Sequence, residues 1–128
     1  MRRVSGIGGI FFKAKDPARL REWYRIHLGI EIQEWGGAAF EWQGAANPSG
    51  GGTTVWNVFE ESSSYFAPSH AAFMINYRVQ DLHAVLAALR NEGCQVDDKV
   101  DESEFGKFGW VMDPEGNRVE LWQPPVGK

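Results

Sequence analysis

The sequence DPEGNRVELW, residues 113–122, contains a tight turn followed by a strand. Proline and glycine stand at the places in this segment that turn geometry favours. The residues after the turn alternate between apolar and polar side chains, which is typical of a strand with one packed face. We therefore expect Val119 and Leu121 to pack against a helix layer, while Glu120 and Trp122 point to the opposite face.

Two amphipathic helices are predicted upstream of this strand. Asp16 and Pro17 supply an N-cap and a proline at the first helical position, and Gly29 ends this helix. Asp81 caps the second helix, and Gly93 ends it. The apolar stripes at helical spacing comprise Leu20, Trp23, Tyr24, His27 and Leu28 in the first helix and Leu82, Val85, Leu86 and Leu89 in the second.

The strand pattern completes two copies of one strand–helix–strand–strand–strand unit. Strands are predicted at residues 9–14, 30–33, 38–42 and 53–59 in the first copy and at 72–79, 94–96, 108–112 and 118–122 in the second. We expect a single domain over residues 1–128, with module one at about 1–66 and module two at about 70–128, joined by the polar stretch 60–69. The alternative is a small α+β protein in which two helices and eight strands occur without a repeat.

The composition is that of a soluble globular protein. Of the 128 residues, 43% are hydrophobic and 23% are charged. No apolar run approaches the roughly 18 residues of a membrane span, and Arg2 and Arg3 are not followed by the apolar core of a secretion signal. The single Cys94 cannot form an internal disulfide, which favours a cytoplasmic location. The net charge of −4 and the scattered basic residues argue against a nucleic-acid partner.

Two segments resemble a known superfamily. Residues 16–24, DPARLREWY, followed by Leu28-Gly29, resemble the first helix of the vicinal oxygen chelate superfamily, and residues 113–121 resemble its C-terminal signature. This superfamily includes glyoxalase I, bleomycin-resistance proteins and extradiol dioxygenases. The resemblance covers nearly the whole chain and implies an α+β fold of two tandem βαβββ modules, whose curved mixed sheets enclose one cavity. It is specific for the fold and not for an activity, because this fold hosts lyases, isomerases, dioxygenases and drug-binding proteins.

The resemblance also implies four positions for metal ligands. In the metal-using members, His, Glu or Gln side chains from the first and last strand of each module hold a divalent ion. These positions fall here at Gly9, Asn57, Met74 and Glu120. Glycine offers no ligand atom, and a thioether is a poor ligand for Mg, Mn, Zn or Fe(II). Because one carboxylate and one amide do not make a divalent site, no cofactor is expected, and a divalent metal is the alternative.

The three histidines are the remaining candidate ligands for a divalent metal. His70 precedes the opening strand of module two and could reach the mouth of the cavity, where it would bind a metal together with Glu120. His27 lies on the apolar stripe of the first helix and is expected to pack there. His83 lies on an exposed face of the second helix and is expected to be solvated.

Strand alternation defines a candidate ligand cavity. Its predicted apolar walls are Phe11, Met74 and Trp122, and its predicted polar groups are Asn57, Asn76, Arg78 and Glu120. A mostly apolar wall with a few convergent polar groups is typical of a small-molecule site. Phe105, in the loop 102–109, is either a lid over the cavity mouth or a residue packed on the surface. The alternative to a cavity is a filled barrel in which Arg78 and Glu120 form an internal ion pair.

Two classes of function follow from these residues. The first is a glyoxalase/bleomycin-resistance-like protein that binds a small organic molecule without the usual metal, and either sequesters it or performs acid–base chemistry through Glu120. The alternative is a metal-dependent lyase, isomerase or dioxygenase of the glyoxalase type, and a third interpretation is a structural or regulatory partner protein. Whether the protein is an enzyme stays open. A homodimer is expected, because half-open sheets leave edges and apolar rims that a second chain covers.

Overall fold

The fold is a mixed β-sheet with both helices packed on one face. The computed structural model describes residues 3–42 and 51–126. The elements in chain order are β1 (Val4–Ala14), α1 (Pro17–Leu28), β2 (Ala38–Glu41), β3 (Thr53–Glu60), β4 (Phe73–Val79), α2 (Leu82–Asn91), β5 (Gln95–Val96), β6 (Asp101–Ser103), β7 (Gly106–Met112) and β8 (Arg118–Gln123). The predicted α+β class is confirmed. Within the described residues, neither helix has the length and apolar character needed to cross a membrane.

β1 stands near the centre of the sheet and joins its two halves. The strand order is β2-β3-β1-β4-β8-β7-β5, and β6 pairs with β7 off this path. β1 runs parallel to β3 and antiparallel to β4, and β4 runs parallel to β8. The expected pair of curved sheets is thus one continuous eight-stranded sheet, because the opening strands of the two halves bond directly to each other.

Both helix starts follow the sequence prediction. The Asp16 carboxylate accepts the backbone N–H of the third residue after it at 3.1 Å, and Asp81 does the same at 3.1 Å. Pro17 occupies the first helical position of α1. Gly29 and Gly93 follow the two helices with positive φ angles of 69° and 84°, which glycine adopts without strain. Local chemistry therefore sets the ends of both helices.

One strand prediction is wrong, and one strand was not predicted. Residues 30–33 form no strand; instead, Ile30 and Ile32 pack with the cluster under α1, and the N–H of Gln33 donates to the carbonyl of Gly37 at 2.8 Å. The apolar alternation there reflects packing without strand pairing. β6 was not predicted, because its exposed polar residues carry no packed face, yet it pairs antiparallel with β7.

β1 extends through its glycines. It begins at Val4 and not at Gly9, where the sequence pattern placed its start. Register shifts between Val4 and Gly6 and between Ile7 and Gly9 let this glycine-rich run remain paired with β4. The sheet therefore gains a longer central strand than the apolar pattern alone predicts.

The two helices are buried to different depths. In α2, Leu82 and Leu86 are almost wholly buried, as predicted. In α1, Leu20 and Tyr24 pack with the cluster on the sheet, whereas Pro17 is the buried residue of the helix itself. The first helix is thus held by part of its stripe only.

Several apolar side chains of α1 and its neighbourhood remain exposed. Trp23 and Leu28 belong to the predicted stripe of α1 but are exposed, and Trp35 and Phe40 beyond the helix are exposed as well. The predicted packing of His27 in this stripe is wrong: His27 is exposed, and its ring lies 5.1 Å from the ring of Trp23. The apolar stripe of α1 is therefore wider than the surface that the sheet covers.

The face of the sheet opposite the helices, called here the inner face, has its own apolar cluster. Phe11 of β1, Met74 of β4 and Trp110 of β7 meet there. They enclose Phe66, whose side chain is wholly buried. Phe66 belongs to the linking segment, residues 61–72, which joins β3 to β4. The polar link predicted between the modules thus turns back into the fold and covers the inner face.

The turn before β8 predicts the effect of one substitution. Gly116 has a φ of 82°, and no atom lies within 4 Å of the position that a Cβ would take. Gly116→Ala therefore adds backbone strain without a steric clash, and we expect it to lower the free energy of unfolding by about 1 kcal/mol in urea denaturation. Gly51→Ala is the control, because Gly51 also has open space around it but no positive φ. Equal urea midpoints for the two variants would contradict the prediction.

Candidate functional site

A buried carboxylate lies at the middle of the inner face. The side chain of Glu120 is almost inaccessible, with the residue 1% exposed. Tyr65 Oη donates to Glu120 Oε2 at 2.5 Å, and Trp110 Nε1 donates to the same oxygen at 2.9 Å. Asn76 Nδ2 donates to Glu120 Oε1 at 2.7 Å. Three donors thus fix the orientation of one carboxylate.

Strand register positions two of these donors. Asn76 on β4 and Trp110 on β7 are the direct register partners of Glu120 on β8. Side chains opposite each other on neighbouring strands point to the same face, so the three groups meet. Tyr65 comes from the linking segment, and its ring stacks on that of Phe59 with centroids 5.4 Å apart. The sheet therefore builds the floor of the site, and the linking segment closes it.

Burial affects the protonation of the Glu120 carboxyl group. Loss of solvent raises the pKa of Glu120 above its ordinary value, although the hydrogen bonds from Tyr65, Asn76 and Trp110 and the charge of Arg118 act in the opposite direction. Burial and the neighbouring carboxylate raise the pKa of Tyr65 as well. Tyr65 therefore remains a protonated donor toward Glu120.

Arg118 supplies a positive charge that acts on Glu120. Its guanidinium carbon lies 4.7 Å from the centre of the Trp110 ring, and an Arg118 N–H donates to the backbone carbonyl of Tyr65. Arg118 also pairs with Asp97 at 3.3 Å. The guanidinium of Arg118 thus holds the linking segment above the site through this hydrogen bond. It also forms a cation–π contact with the indole of Trp110.

The ion pair between Arg78 and Glu120, given above as the alternative to a cavity, does not form. Both oxygens of Glu120 accept from other donors, and Arg78 donates to the backbone carbonyl of Thr53 at 3.3 Å. Asn76 takes the place beside Glu120 that the sequence assigned to Arg78, because Asn76 and not Arg78 is in register with it.

The amide of Asn76 has a fixed orientation. Its nitrogen must face the Glu120 carboxylate, so its oxygen faces away, buried and without a hydrogen-bond partner. A Cβ on Gly8 would lie 2.2 Å from this oxygen. Glycine at this position of β1 is therefore required for the amide to fit.

The structure places most of the predicted cavity residues on the inner face and leaves one of them apart. Phe11, Met74, Asn76 and Glu120 lie together on the inner face. Arg78 and Trp122, register partners on β4 and β8, lie beside them. Asn57 is the register partner of Phe11 on β3 and lies on the same face, whereas Phe105 lies apart. The amide oxygen of Asn57 accepts the backbone N–H of Val58, and Phe105 is 67% exposed, with only its carbonyl bonded to Trp122.

The sequence patterns missed three contributors to the site. Tyr65 and Phe66 lay in a stretch interpreted as a polar linker, although an adjacent aromatic pair among serines and a proline was a signal of burial. Trp110 was predicted only as a strand residue. It stands as far before the turn at 113–117 as Glu120 stands after it, so hairpin register pairs the two.

The side chains at the four family metal positions do not fit a divalent ion. Gly9 has no ligand atom, and the thioether of Met74 is wholly buried in the apolar cluster. The side-chain oxygen of Asn57 accepts a hydrogen bond from the backbone, and both oxygens of Glu120 accept hydrogen bonds from side chains. Within residues 3–42 and 51–126, no three His, Cys, Asp or Glu side chains gather as a metal site.

His70 does not alter this donor set. It is exposed, and it forms no ion pair with Glu120 among the contacts of the described chain. His83 is exposed too, with its Nε2 at 3.5 Å from Glu102. Neither histidine therefore adds a ligand to the side chains at the four family positions.

The fold and the inner face define the class of protein. A family model described as a glyoxalase-like domain matches residues 9–122, and the chain belongs to this family. It therefore has a vicinal oxygen chelate fold, as the sequence resemblance implied. A search of curated protein sequences gave no significant match.

Solved structures of the same fold include two epimerases. Methylmalonyl-CoA epimerase in complex with methylmalonyl-CoA and an ammonium ion has a TM-score of 0.70 and 20% identity, covering 98% of this chain and 98% of that chain. The epimerase from Mycobacterium tuberculosis has a TM-score of 0.63 and 19% identity, covering 98% and 91%. A glyoxalase/bleomycin resistance protein/dioxygenase superfamily member from Vibrio splendidus 12B01 has a TM-score of 0.60 and 10% identity, covering 91% and 97%. At such identities, the likeness shows the fold alone.

The raised pKa of Glu120 predicts how stability depends on pH. Between the unfolded pKa of about 4.3 and the higher folded pKa, the folded protein holds more protons than the unfolded chain, so stability falls as pH rises through this window. Glu120→Gln removes the titrating group, and we expect the stability of this variant relative to the parent to increase as the pH rises from 4.5 to 7. Urea denaturation at a series of pH values measures it.

The exposed Glu61 provides the control for this experiment. Glu61→Gln should follow the pH dependence of the parent protein. If the curves of Glu120→Gln and the parent are parallel over this range, burial does not control the protonation of Glu120.

Proposed function

We propose that this protein binds a small organic molecule on its inner face, beside Glu120, without a divalent metal. The observation that carries the proposal is the hydrogen bonding of Glu120, which takes three side-chain donors at the position where metal-using relatives place a ligand. The surrounding wall of Phe11, Met74 and Trp110 is apolar. A mostly apolar wall around one oriented polar group is typical of small-molecule sites.

The linking segment occupies the place that such a ligand would take. Phe66 fills the apolar wall, and Tyr65 covers the carboxylate. A ligand that reaches Glu120 therefore replaces the hydroxyl of Tyr65 with a donor of its own, and replaces the ring of Phe66 with its apolar part. The binding site is thus opened by movement of residues 61–72.

Two roles are open to Glu120 once a ligand is bound. With a pKa raised by burial, it can act as a general base or acid. With its charge retained, it serves as an acceptor for a ligand donor, as in a protein that sequesters its ligand. The solved neighbour bound to methylmalonyl-CoA supports including acyl thioesters among the candidate ligands.

A thermal-shift screen tests this proposal. The probes are thiol adducts, aromatic diols, antibiotics and acyl-CoA esters, each with EDTA and with added Zn, Mn, Ni or Fe(II). We expect at least one organic probe to raise the melting temperature in EDTA, because the site needs no ion to hold a ligand. Elemental analysis of the purified protein should find no stoichiometric divalent metal.

Variants locate the site of any probe that binds. Glu120→Gln keeps the shape of the side chain and removes its charge, so it should weaken a probe that donates to the carboxylate, while Glu61→Gln should not. About one metal ion per chain, or stabilisation only in the presence of metal, would refute the proposal and favour a metal-dependent lyase, isomerase or dioxygenase. Equal binding by both variants would place the ligand elsewhere.

We also propose that two chains associate through the surface of α1 and β2. Trp23 and Leu28 of α1 and Phe40 of β2 are exposed. Among the described strands, β2 is at the edge of the sheet, so none of them pairs with its outer backbone groups. Burying exposed aromatic and aliphatic side chains against a second copy removes apolar surface from water.

Light scattering at micromolar concentration should therefore give twice the chain mass. We expect the double variant Trp23→Lys, Phe40→Lys to shift the protein to the monomer, since both charges would be buried in the interface. Phe105→Lys is the matched control, because Phe105 is an exposed aromatic in the turn between β6 and β7. A monomer mass for the parent, or a dimer unaffected by the double variant, would contradict the proposal.

A further inference from the structure

Arg78 is a buried cation with few hydrogen-bond acceptors and no counter-charge among the described residues. The residue is 8% exposed and lies on β4, two positions beyond Asn76, so it faces the same side of the sheet. Among the described residues, its acceptor is the backbone carbonyl of Thr53 at 3.3 Å, and no carboxylate pairs with it. Burial disfavours a charged guanidinium unless an acceptor or counter-charge replaces the lost water.

The residues outside the described ranges have no acidic side chain to supply that counter-charge. Residues 43–50 have the sequence QGAANPSG, which contains no Asp or Glu. On the inner face, the oxygens of Glu120 already accept from Tyr65, Asn76 and Trp110. Among the described residues, the positive charge of Arg78 is therefore not neutralised by an ion pair.

Two indoles flank the guanidinium. Its central carbon lies 5.0 Å from the centre of the Trp42 ring and 5.2 Å from that of the Trp122 ring. In the sheet, Arg78 stands between Gly6 of β1 and Trp122 of β8. The Trp42 ring covers Gly6, where a Cβ would lie 2.4 Å from it. Trp122 thus flanks Arg78 from β8 and Trp42 from above β1, and both indoles stabilise its charge by cation–π contact.

Hydrogen bonds hold both indoles in place. Trp42 Nε1 donates to Thr54 Oγ1 at 2.8 Å, and this hydroxyl donates to the carbonyl of Ile7 at 2.7 Å. Trp122 Nε1 donates to the carbonyl of Phe105 at 2.9 Å. A preorganised aromatic frame of this kind loses little conformational entropy when a ligand binds.

Glycines make room for this frame. A Cβ on Gly52 would lie 2.3 Å from the Trp42 ring, and one on Gly8 would lie 2.9 Å from the Trp122 ring and 3.1 Å from Cγ of Arg78. A Cβ on Gly106 would lie 2.8 Å from Trp122 Nε1. The glycine-rich runs of the sequence thus serve the close packing around Arg78.

Part of the guanidinium remains reachable from solvent. Among the described residues, the buried side-chain nitrogens and oxygens without a hydrogen-bond partner are Arg21 Nε and Asn76 Oδ1. Within residues 3–42 and 51–126, Nε and Nη2 of Arg78 have no hydrogen-bond partner, and they are not among these fully buried atoms. They therefore keep some contact with solvent, through which an acceptor from outside the protein can approach.

We propose that Arg78, framed by Trp42 and Trp122, binds an acidic group of the ligand, a carboxylate or a phosphate. The inference rests on the proposed small-molecule function and adds a chemical class to it. A guanidinium presents parallel N–H donors that match the two oxygens of such a group. Residues two apart on a strand are separated by roughly 7 Å, so a ligand with its acid at Arg78 reaches Glu120 with a group about that far away.

Nuclear magnetic resonance of the indole N–H groups tests this inference on the full chain. The probes are sodium benzoate, phenyl phosphate and the neutral benzamide, and Trp→Phe variants assign the signals of Trp42, Trp110 and Trp122. We expect an acidic probe to shift the Trp42 and Trp122 signals and benzamide to bind there about tenfold or more weakly. The acid that binds more tightly, benzoate or phenyl phosphate, identifies the acidic group of the ligand as a carboxylate or a phosphate.

Variants then attribute the effect to the guanidinium. Arg78→Gln should weaken the acid about tenfold or more, Arg78→Lys should lie between this variant and the parent, and Arg19→Gln, an exposed arginine on α1, should bind as the parent does. The comparison of acid with amide in the parent protein remains decisive if Arg78→Gln does not fold. Equal binding of benzoate and benzamide, or no shift of the two indoles by either acid, overturns the inference.

The signals of Trp110 separate this inference from the proposed function. Benzamide that shifts Trp110 while neither acid shifts Trp42 or Trp122 leaves the ligand site at Glu120 and refutes the role of Arg78. Acids that shift Trp42 and Trp122 in the parent but not in Arg78→Gln establish the anion site. If Glu120→Gln then binds every probe as the parent does, the proposed site at Glu120 is refuted instead.

Discussion

The hydrogen bonding of one buried carboxylate connects the parts of this protein that are distant in sequence. Glu120 receives donors from β4, β7 and the linking segment. An isolated carboxylate would be costly at this depth, so each donor offsets part of the cost of burial. The linking segment lies over the inner face because Tyr65 supplies one of these donors and Phe66 fills the space beside it. The arrangement of the site and the path of the chain between its halves therefore have a common cause.

The features that the sequence predicted well are local or depend on strand periodicity. Asp16 and Asp81 cap their helices through contacts within one turn, so no knowledge of the remaining chain is needed. The packing of Val119 and Leu121 on the helix side follows from alternation alone. The side to which Glu120 points follows from the same alternation, although its partners do not.

The features that the sequence missed depend on distant contacts. The opposite charges of Arg78 and Glu120 made an ion pair one alternative at the level of the sequence, but strand register sets Asn76 beside Glu120 and leaves Arg78 two residues further along. Tyr65 and Phe66 lie in a segment with polar composition, and only the assembled inner face shows that the ring of Phe66 fills it and that the hydroxyl of Tyr65 reaches Glu120. His27 satisfied helical spacing, yet α1 contacts the sheet through a narrower surface than its apolar stripe. Register and the area of contact between layers are properties of the assembled fold.

The complete burial of Phe66 has a consequence for the thermodynamics of ligand binding. Covering apolar surface gives a negative change in heat capacity, and uncovering it gives a positive one. A ligand that takes the place of Phe66 exchanges one buried apolar surface for another, so the two contributions largely cancel. A ligand that binds while Phe66 stays in the cluster only covers apolar surface, so its binding has a distinctly negative change in heat capacity. Calorimetry at several temperatures thus distinguishes a molecule that opens the linking segment from one that leaves it in place.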